Sequence, residues 1–252
     1  MTSGEARVAL VTGASYGLGA AIAAALARDG CDVAVTELDP QTLGDTVRQI
    51  EAAGRRALPL ALDVRDDAAI DAAFAGALAA FGRLDVLVNN AGVPLRRLAV
   101  DVTRDEWQTV LDINLAGAFF MSQRMGRQLI VAGRAGAIVS LASTFGIGGF
   151  PERSTYGIAK AGIMQMTRML AIEWAEHGIR VNAVAPGTVE TPQRAAGFAA
   201  EPARRAAMIE RIPLKRFGTP WEVGDLVAFL AGPRAAYMTG QTVLIDGGVM
   251  SY

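Results

Sequence analysis

Residues 8–19, Val8-Ala9-Leu10-Val11-Thr12-Gly13-Ala14-Ser15-Tyr16-Gly17-Leu18-Gly19, decide the fold. An apolar, largely β-branched run, Val8–Thr12, leads straight into a glycine turn, and an alanine-rich helical pattern follows through Asp29. The segment reads strand, glycine turn, helix. Glycines let a backbone approach a pyrophosphate, and the unpaired N–H groups at a helix N-terminus can then hold the anion. The spacing is Gly-x-x-x-Gly-x-Gly rather than the Gly-x-Gly-x-x-Gly of the commonest dinucleotide fingerprint. Tight strand-to-helix turns need glycine in any case, so the turn alone does not fix a ligand.

Further along the chain, short β-rich runs alternate with longer helical patterns. Strands are predicted at Asp32–Thr36, Ala57–Leu62, Val86–Asn89, Gly136–Leu141, Arg180–Ala185 and Thr242–Ile245, seven with the first. Most are continuous apolar runs, as expected where helices cover both faces of a parallel sheet, so a doubly wound α/β fold is predicted. Thr103-Arg104-Asp105-Glu106 and Thr219-Pro220-Trp221-Glu222 read as capping boxes at helix starts. At 252 residues and 52 % hydrophobic, the chain is expected to form one domain, residues 1–252, with a substrate loop or lid around 188–215. Its formal net charge of −1 is spread along the chain, which argues against nucleic-acid or anionic-membrane partners. With no leader pattern at the amino end and no long unbroken apolar segment, the expected location is the cytoplasm. Cys31 is the only cysteine and is expected in the core, so no disulfide or multi-cysteine metal site is expected. His177, the sole histidine, precedes Gly178 at a helix end, where it reads as a C-terminal helix residue rather than a base; no metal is expected.

A second constellation carries chemistry. Tyr156 and Lys160 lie four residues apart in STYGIAKAG, and Ser143 lies thirteen residues upstream in IVSLASTFG. In a helix, a separation of four puts both side chains on one face, about 6 Å apart along the axis. Tyrosine has an ordinary pKa of about 10, and a nearby ammonium would favour phenolate. Such a phenol can take a proton from an alcohol or return one to a carbonyl oxygen, with Ser143 bonding the same oxygen. Taken alone, the pair reads equally as a solvated helix face.

In chain order, Thr12-Gly13-x-x-x-Gly17-x-Gly19, Asn89-Asn90-Ala91-Gly92, Asn114, Ser143, Tyr156-x-x-x-Lys160 and Pro186-Gly187 together resemble the short-chain dehydrogenase/reductase family, a likeness that runs from Arg7 to Asp246-Gly247-Gly248. The resemblance implies a Rossmann-like domain with about seven parallel strands. It also implies an oxidoreductase that exchanges hydride with a nicotinamide cofactor, with Asn114, Ser143, Tyr156 and Lys160 as the catalytic set. Lys160 would lower the phenol pKa and hold the nicotinamide ribose, and Asn114 would mark a helix irregularity holding a water. By the same likeness, Gly13, Ser15, Tyr16, Gly17, Leu18 and Gly19 would cradle the pyrophosphate. Asp63 and Val64 would border the adenine, Asn90, Ala91 and Gly92 would lie beneath the ribose, and Pro186, Gly187, Val189 and Thr191 would meet the carboxamide. A homotetramer is implied, with the helical segments Thr103–Val131 and Ser154–Glu176 supplying apolar surface through Phe119, Phe120, Met121, Met125, Met164, Met166 and Met169.

Glu37 ends the second strand eighteen residues beyond Gly19, where a carboxylate accepts bonds from ribose hydroxyls and repels a 2′-phosphate. Tyr16 and Leu38 occupy places where phosphate-binding relatives carry a basic residue, so NAD is expected over NADP. The other reading of Glu37 is a surface turn cap before Asp39-Pro40. Residues 146–154 and 188–211, with Phe150, Glu152, Arg153, Gln193, Arg194 and Phe198, are expected to flank the substrate, joined by Arg96 and Arg97. A polar lining of this kind suits a polyol, sugar or hydroxy acid, oxidised at a secondary alcohol to a ketone, or from sugar to lactone. The rival enzyme reading is a 3-oxoacyl thioester (acyl-carrier-protein) reductase, and the non-enzymatic one a cofactor-binding regulatory protein.

Overall fold

The computed structural model describes residues 6–251 and, for Gln193, the backbone only. Its strands are β1 (Val8–Thr12), β2 (Asp32–Glu37), β3 (Ala57–Ala61), β4 (Val86–Asn89), β5 (Gly136–Leu141), β6 (Ile179–Pro186) and β7 (Thr242–Ile245). They form a single parallel sheet in the order β3-β2-β1-β4-β5-β6-β7. The helices are α1 (Gly17–Arg28), α2 (Gly44–Ala52), α3 (Asp67–Phe81), α4 (Arg104–Leu111), α5 (Gly117–Val131), α6 (Ser154–Trp174), α7 (Pro192–Ala199), α8 (Pro202–Glu210) and α9 (Pro220–Ala231).

Alternate residues of the central strands enter different cores, which is why those strands read as unbroken apolar runs. In β1, Val8 and Leu10 join a core with Phe74 of α3, Met121, Met125 and Leu129 of α5, and Ile163, Met166 and Leu170 of α6. Ala9 and Val11 join the opposite core with Ile22 and Leu26 of α1 and Val223 and Val227 of α9. Cys31 is buried in that second layer, and burial pushes its thiol up to about 11.

Both predicted capping boxes form. Thr103 N–H donates to Glu106 at 3.0 Å and Glu106 N–H returns to Thr103 Oγ1 at 3.2 Å; Thr219 and Glu222 repeat the pattern at 2.7 and 3.3 Å. Some predicted boundaries move by a residue. β2 runs on to Glu37, whose carbonyl still accepts from Leu62 N–H at 2.9 Å, while β3 stops at Ala61 and β6 spans Ile179–Pro186. The segment predicted as one helix over Thr103–Val131 is broken by a π-helical turn, Asp112–Ala116, centred on Asn114. The helix predicted to reach Glu176 ends at Trp174 and tightens into a 3₁₀ turn, Ala175–His177, which Gly178 closes in the left-handed conformation at φ 70°. His177 therefore stands at a helix end, with Glu176 3.8 Å away.

The strand order reverses direction between β1 and β4. Because neighbouring strands run in register, the chain leaves β1, β4, β5 and β6 at a common edge after Thr12, Asn89, Leu141 and Pro186. Crevices in open α/β sheets form at such a switch point.

Candidate active site

The glycine turn is locked from both sides. Thr12 Oγ1 accepts from the N–H groups of Asn90 and Ala91, each at 3.0 Å, while Asn90 Nδ2 donates to the carbonyls of Thr12 at 2.9 Å and Gly13 at 2.7 Å. A Cβ on Gly13 would stand 2.9 Å from Ala91 Cα, and one on Gly19 only 2.1 Å from the Gly13 carbonyl. Gly13 and Gly17 adopt φ 66° and 62°, open to glycine at no steric penalty. A Cβ on Gly17 would meet Thr191 first, at 3.5 Å, so the turn faces the Thr191 segment. The α1 N-terminus receives no side-chain cap from Tyr16, and the first N–H groups of a helix have no intrahelical partner, the arrangement that receives an anion. The residues present fit a dinucleotide pyrophosphate.

Glu37 borders the turn: Ser15 Oγ donates to it at 2.8 Å and Leu38 N–H at 3.1 Å. Asp63, one strand over, is tied to Arg65 at 2.6 Å, which holds its carboxyl below the usual range, and Val64 is buried against Gly117. Gly187 packs on Asp246, Val189 is buried and bridges to Gly218, and Thr191 caps α7 by accepting from Arg194 N–H at 3.3 Å.

Past β5, Ser143 begins a 3₁₀ turn, Thr144–Gly146, and its Oγ accepts from Phe145 N–H at 3.2 Å. Ser143 also lies beside the half-buried Tyr156 in the first turn of α6 and helps pull its phenol pKa down. A Cβ at Gly157 would stand 2.6 Å from the Phe145 carbonyl, and at Gly146 2.7 Å from Lys160 carbonyl carbon, so glycines let the serine turn seat directly on α6. Lys160, one helical turn on, is 4 % exposed; its Nζ donates to Leu141 carbonyl at 2.7 Å and lies 5.6 Å from the Tyr156 ring centre. Asn114 is buried in the π-helical turn, where its Nδ2 donates to the carbonyls of Val93 at 2.9 Å and Val110 at 3.0 Å. Its Oδ1 is buried with no partner and faces Gly92, the residue Lys160 also approaches. The structure thus brings Asn114, Ser143, Tyr156 and Lys160 around one point beside Gly92.

Burial is the largest influence on Tyr156 and pushes its phenol up; Arg194, the Ser143 hydrogen bond and Arg153 pull it down. Lys160 Nζ lies 5.6 Å from the Tyr156 ring centre; burial lowers its own pKa to about 8, and it donates to the Leu141 carbonyl. Arg153 and Arg194 thus act on the phenol from α6 and α7. Sequence reasoning placed them only in the pocket wall, because the signal is spatial. Arg96 and Glu152, also expected there, pair with each other at 2.6 Å; Arg97 pairs with Glu106, and Phe198 packs against Phe217 with ring centres 5.4 Å apart. Among the described residues no group of three or more His, Cys, Asp or Glu side chains could hold a metal. No helix among them is long and apolar enough to cross a membrane.

Comparison with known proteins agrees with this architecture. Residues 13–250 match the family model described as enoyl-(acyl carrier protein) reductase. The chain is 38 % identical to 2-dehydro-3-deoxy-D-gluconate 5-dehydrogenase of Escherichia coli, over 97 % of this chain and 95 % of that one. It is 39 % identical to a 3-oxoacyl-acyl-carrier-protein reductase of Thermotoga maritima, covering 98 % of each. A solved structure from Agrobacterium tumefaciens, described as a putative 2-deoxy-D-gluconate 3-dehydrogenase with bound NADP, superposes with a TM-score of 0.88 at 36 % identity, covering 98 % of both chains. Fold, motif order and these relatives lead to one assignment: the chain belongs to the short-chain dehydrogenase/reductase family, enzymes that act on CH–OH groups with a nicotinamide cofactor.

Proposed function

We propose that the protein oxidises a secondary alcohol of a sugar, polyol or hydroxy acid to the ketone, with NAD as the acceptor. The observation that carries this reading is the convergence of Ser143, Tyr156, Lys160 and Asn114 beside Gly92, at the edge where the glycine turn opens. A bound nicotinamide would supply the hydride acceptor, held by the glycine turn, Glu37 and Lys160. Tyr156 takes the hydroxyl proton, and Ser143 bonds the same oxygen and holds it in place. Lys160 holds the ribose, and a water on the unpartnered Asn114 Oδ1 links Lys160 to solvent for the departing proton. Tyr156→Phe is expected to lose at least about a hundredfold in rate with cofactor binding retained. Near-normal turnover in that variant refutes the proposal.

NAD is preferred in this reading because Glu37 presents a carboxylate beside the glycine turn, held by Ser15, while Tyr16 and Leu38 bring no positive charge. The segment 188–215, built from α7 and α8, serves as the lid over a single catalytic domain. The sugar-acid relative supports an oxidised carbohydrate as substrate. The acyl-carrier-protein reductase relative supports a second reading, reduction of a 3-oxoacyl thioester, which NADPH-dependent turnover of acetoacetyl thioesters without turnover of polyols would favour. Assembly as a tetramer in the cytoplasm belongs to the proposal. Met121, Met125, Met164 and Met166 pack inside, but Phe119, Phe120 and Met169 stay exposed on α5 and α6. Sedimentation at monomer size would overturn the tetramer, and cell fractionation tests the compartment.

A further inference from the structure

Four acidic side chains of the segments that flank the site are paired with cations. Glu152 pairs with Arg96 at 2.6 Å, Glu190 with Arg205 at 2.8 Å, Glu201 with Arg204 at 3.0 Å and Glu210 with Lys215 at 2.7 Å. Two arginines are left over. Arg153, at the N-cap of α6, donates one bond, to the Leu95 carbonyl at 3.0 Å, and lies 5.5 Å over the Phe145 ring, whose centre is 6.1 Å from that of Tyr156. Arg194, in the first turn of α7, has its backbone fixed by Thr191, the residue facing Gly17. Among the described residues neither guanidinium has a carboxylate partner. The groups around Arg153 are instead like charges, Arg96, Arg194 and Arg204, together with Tyr156, and Arg194 likewise interacts with Tyr156 and Arg204. Two unneutralised guanidinium groups that act on one phenol repel, and the partial burial of Arg153 opposes its charge further. An arrangement of this kind is relieved by an anion that arrives with the substrate, and the planar fork of arginine suits a carboxylate.

The geometry points to a carboxylate on the substrate, bound between Arg153 and Arg194 beside the reacting hydroxyl, so that the enzyme takes a sugar acid or hydroxy acid in preference to a neutral polyol or thioester. This rests on the reading of Tyr156 as the group that meets the reacting oxygen. Arg153 is fixed to Leu95 and Phe145 and forms the rigid half of the clamp. Arg194 belongs to the lid and joins it when the α7 segment is seated. The two arginines lie on different elements, so the anion also couples the lid to α6.

Binding measured by calorimetry tests this on protein saturated with NADH, a form in which an added alcohol cannot be oxidised. The probes are D-gluconate against sorbitol, and 3-hydroxybutyrate against butane-1,3-diol, pairs that differ in a carboxylate replaced by CH₂OH. At least one carboxylate is expected to bind about tenfold or more tightly than its neutral counterpart. Arg194→Gln and Arg153→Gln are each expected to weaken that carboxylate by about tenfold or more, with the neutral probe unchanged, and lysine in either place is expected to recover part of the loss. Arg194 is exposed on a short helix, so its variant leaves the fold intact if Arg153→Gln disturbs the Leu95 loop. Equal binding of the charged and neutral probes, no binding of either carboxylate at millimolar concentration, or unchanged carboxylate affinity in the Arg194 variant overturns the clamp. Those results leave the dehydrogenase proposal standing, since that proposal fails separately, through normal turnover in Tyr156→Phe.

Discussion

Replacing Lys160 with methionine isolates the energetic consequence of burying an ammonium group in the site. Its pKa is lowered from 10.5 to about 8 by burial, a displacement worth about 3 kcal/mol at about 1.36 kcal/mol per pH unit. The group is a base whose folded pKa lies below its unfolded one. Below pH 8 it is protonated in both states, and the full penalty opposes folding. Between pH 8 and 10.5 the unfolded chain holds a proton that the native chain has released, so stability rises with pH, and above that window the penalty is gone. Integrated from pH 7 to pH 9, this contributes a rise of about 1.3 kcal/mol. Lys160→Met lacks the titrating group and so lacks the rise. The variant also loses the bond to the Leu141 carbonyl, but that loss hardly varies with pH, because a neutral amine still donates. Cys31, pushed up to about 11, titrates alike in both proteins and drops out of the difference. Urea unfolding of both proteins at pH 7, 8 and 9 should therefore show stability curves that diverge by about 1 kcal/mol or more. Parallel curves would show that the ammonium is not desolvated in the native state and would undo this account of the lysine.

Gly19→Ala places a Cβ 2.1 Å from the Gly13 carbonyl and 2.6 Å from Asn90 Nδ2, so the turn must open. It should destabilise the protein by about 1–3 kcal/mol and weaken NADH binding at least about tenfold, read by nicotinamide fluorescence. Glu37→Ala removes the carboxylate beside Ser15 and should raise kcat/KM for NADP about tenfold or more relative to NAD; an unchanged ratio in a coupled assay of both cofactors removes Glu37 from cofactor choice. Arg194→Gln withdraws a cation that pulls the Tyr156 pKa down, so the rising limb of kcat/KM against pH for alcohol oxidation should move to higher pH.

How much of this was legible in the sequence follows the range of the interactions concerned. The central strands announced themselves because helices cover both their faces, so local composition carried the information; strand ends shifted where pairing went on, as at Glu37 beside Leu62. The capping boxes at Thr103 and Thr219 were readable because the bonds span three residues. Asn114 was marked by family likeness alone, since nothing in LDINLAGAF signals that Val93, on another segment, accepts from its side chain. The glycines carried a mixed message: Gly13 and Gly19 are required by the tight seat of the turn against residues 90–91, and Gly17 is the one that faces Thr191. Least legible was the charge balance. Arg153 and Arg194 look like any loop arginines until the pairing of Glu152, Glu190, Glu201 and Glu210 elsewhere leaves them over.

On the proposed carboxylate clamp, that balance would tie substrate binding to the acidity of the Tyr156 phenol. Burial raises the Tyr156 pKa, and Arg194 and Arg153 offset part of the rise, so the phenol is most acidic while both guanidinium groups stand unneutralised. A carboxylate held between them would cancel much of that field and return the phenol toward its burial-raised value. The pKa governing kcat, which belongs to the substrate complex, should then lie above the one governing kcat/KM, which belongs to the free enzyme. The gap should open for a carboxylate substrate and close for its neutral counterpart, and Arg194→Gln should narrow it by raising the free-enzyme value alone. Superimposable kcat and kcat/KM profiles for a hydroxy acid would mean that its charge is bound too far from Tyr156 for the two arginines to serve both ends of the reaction.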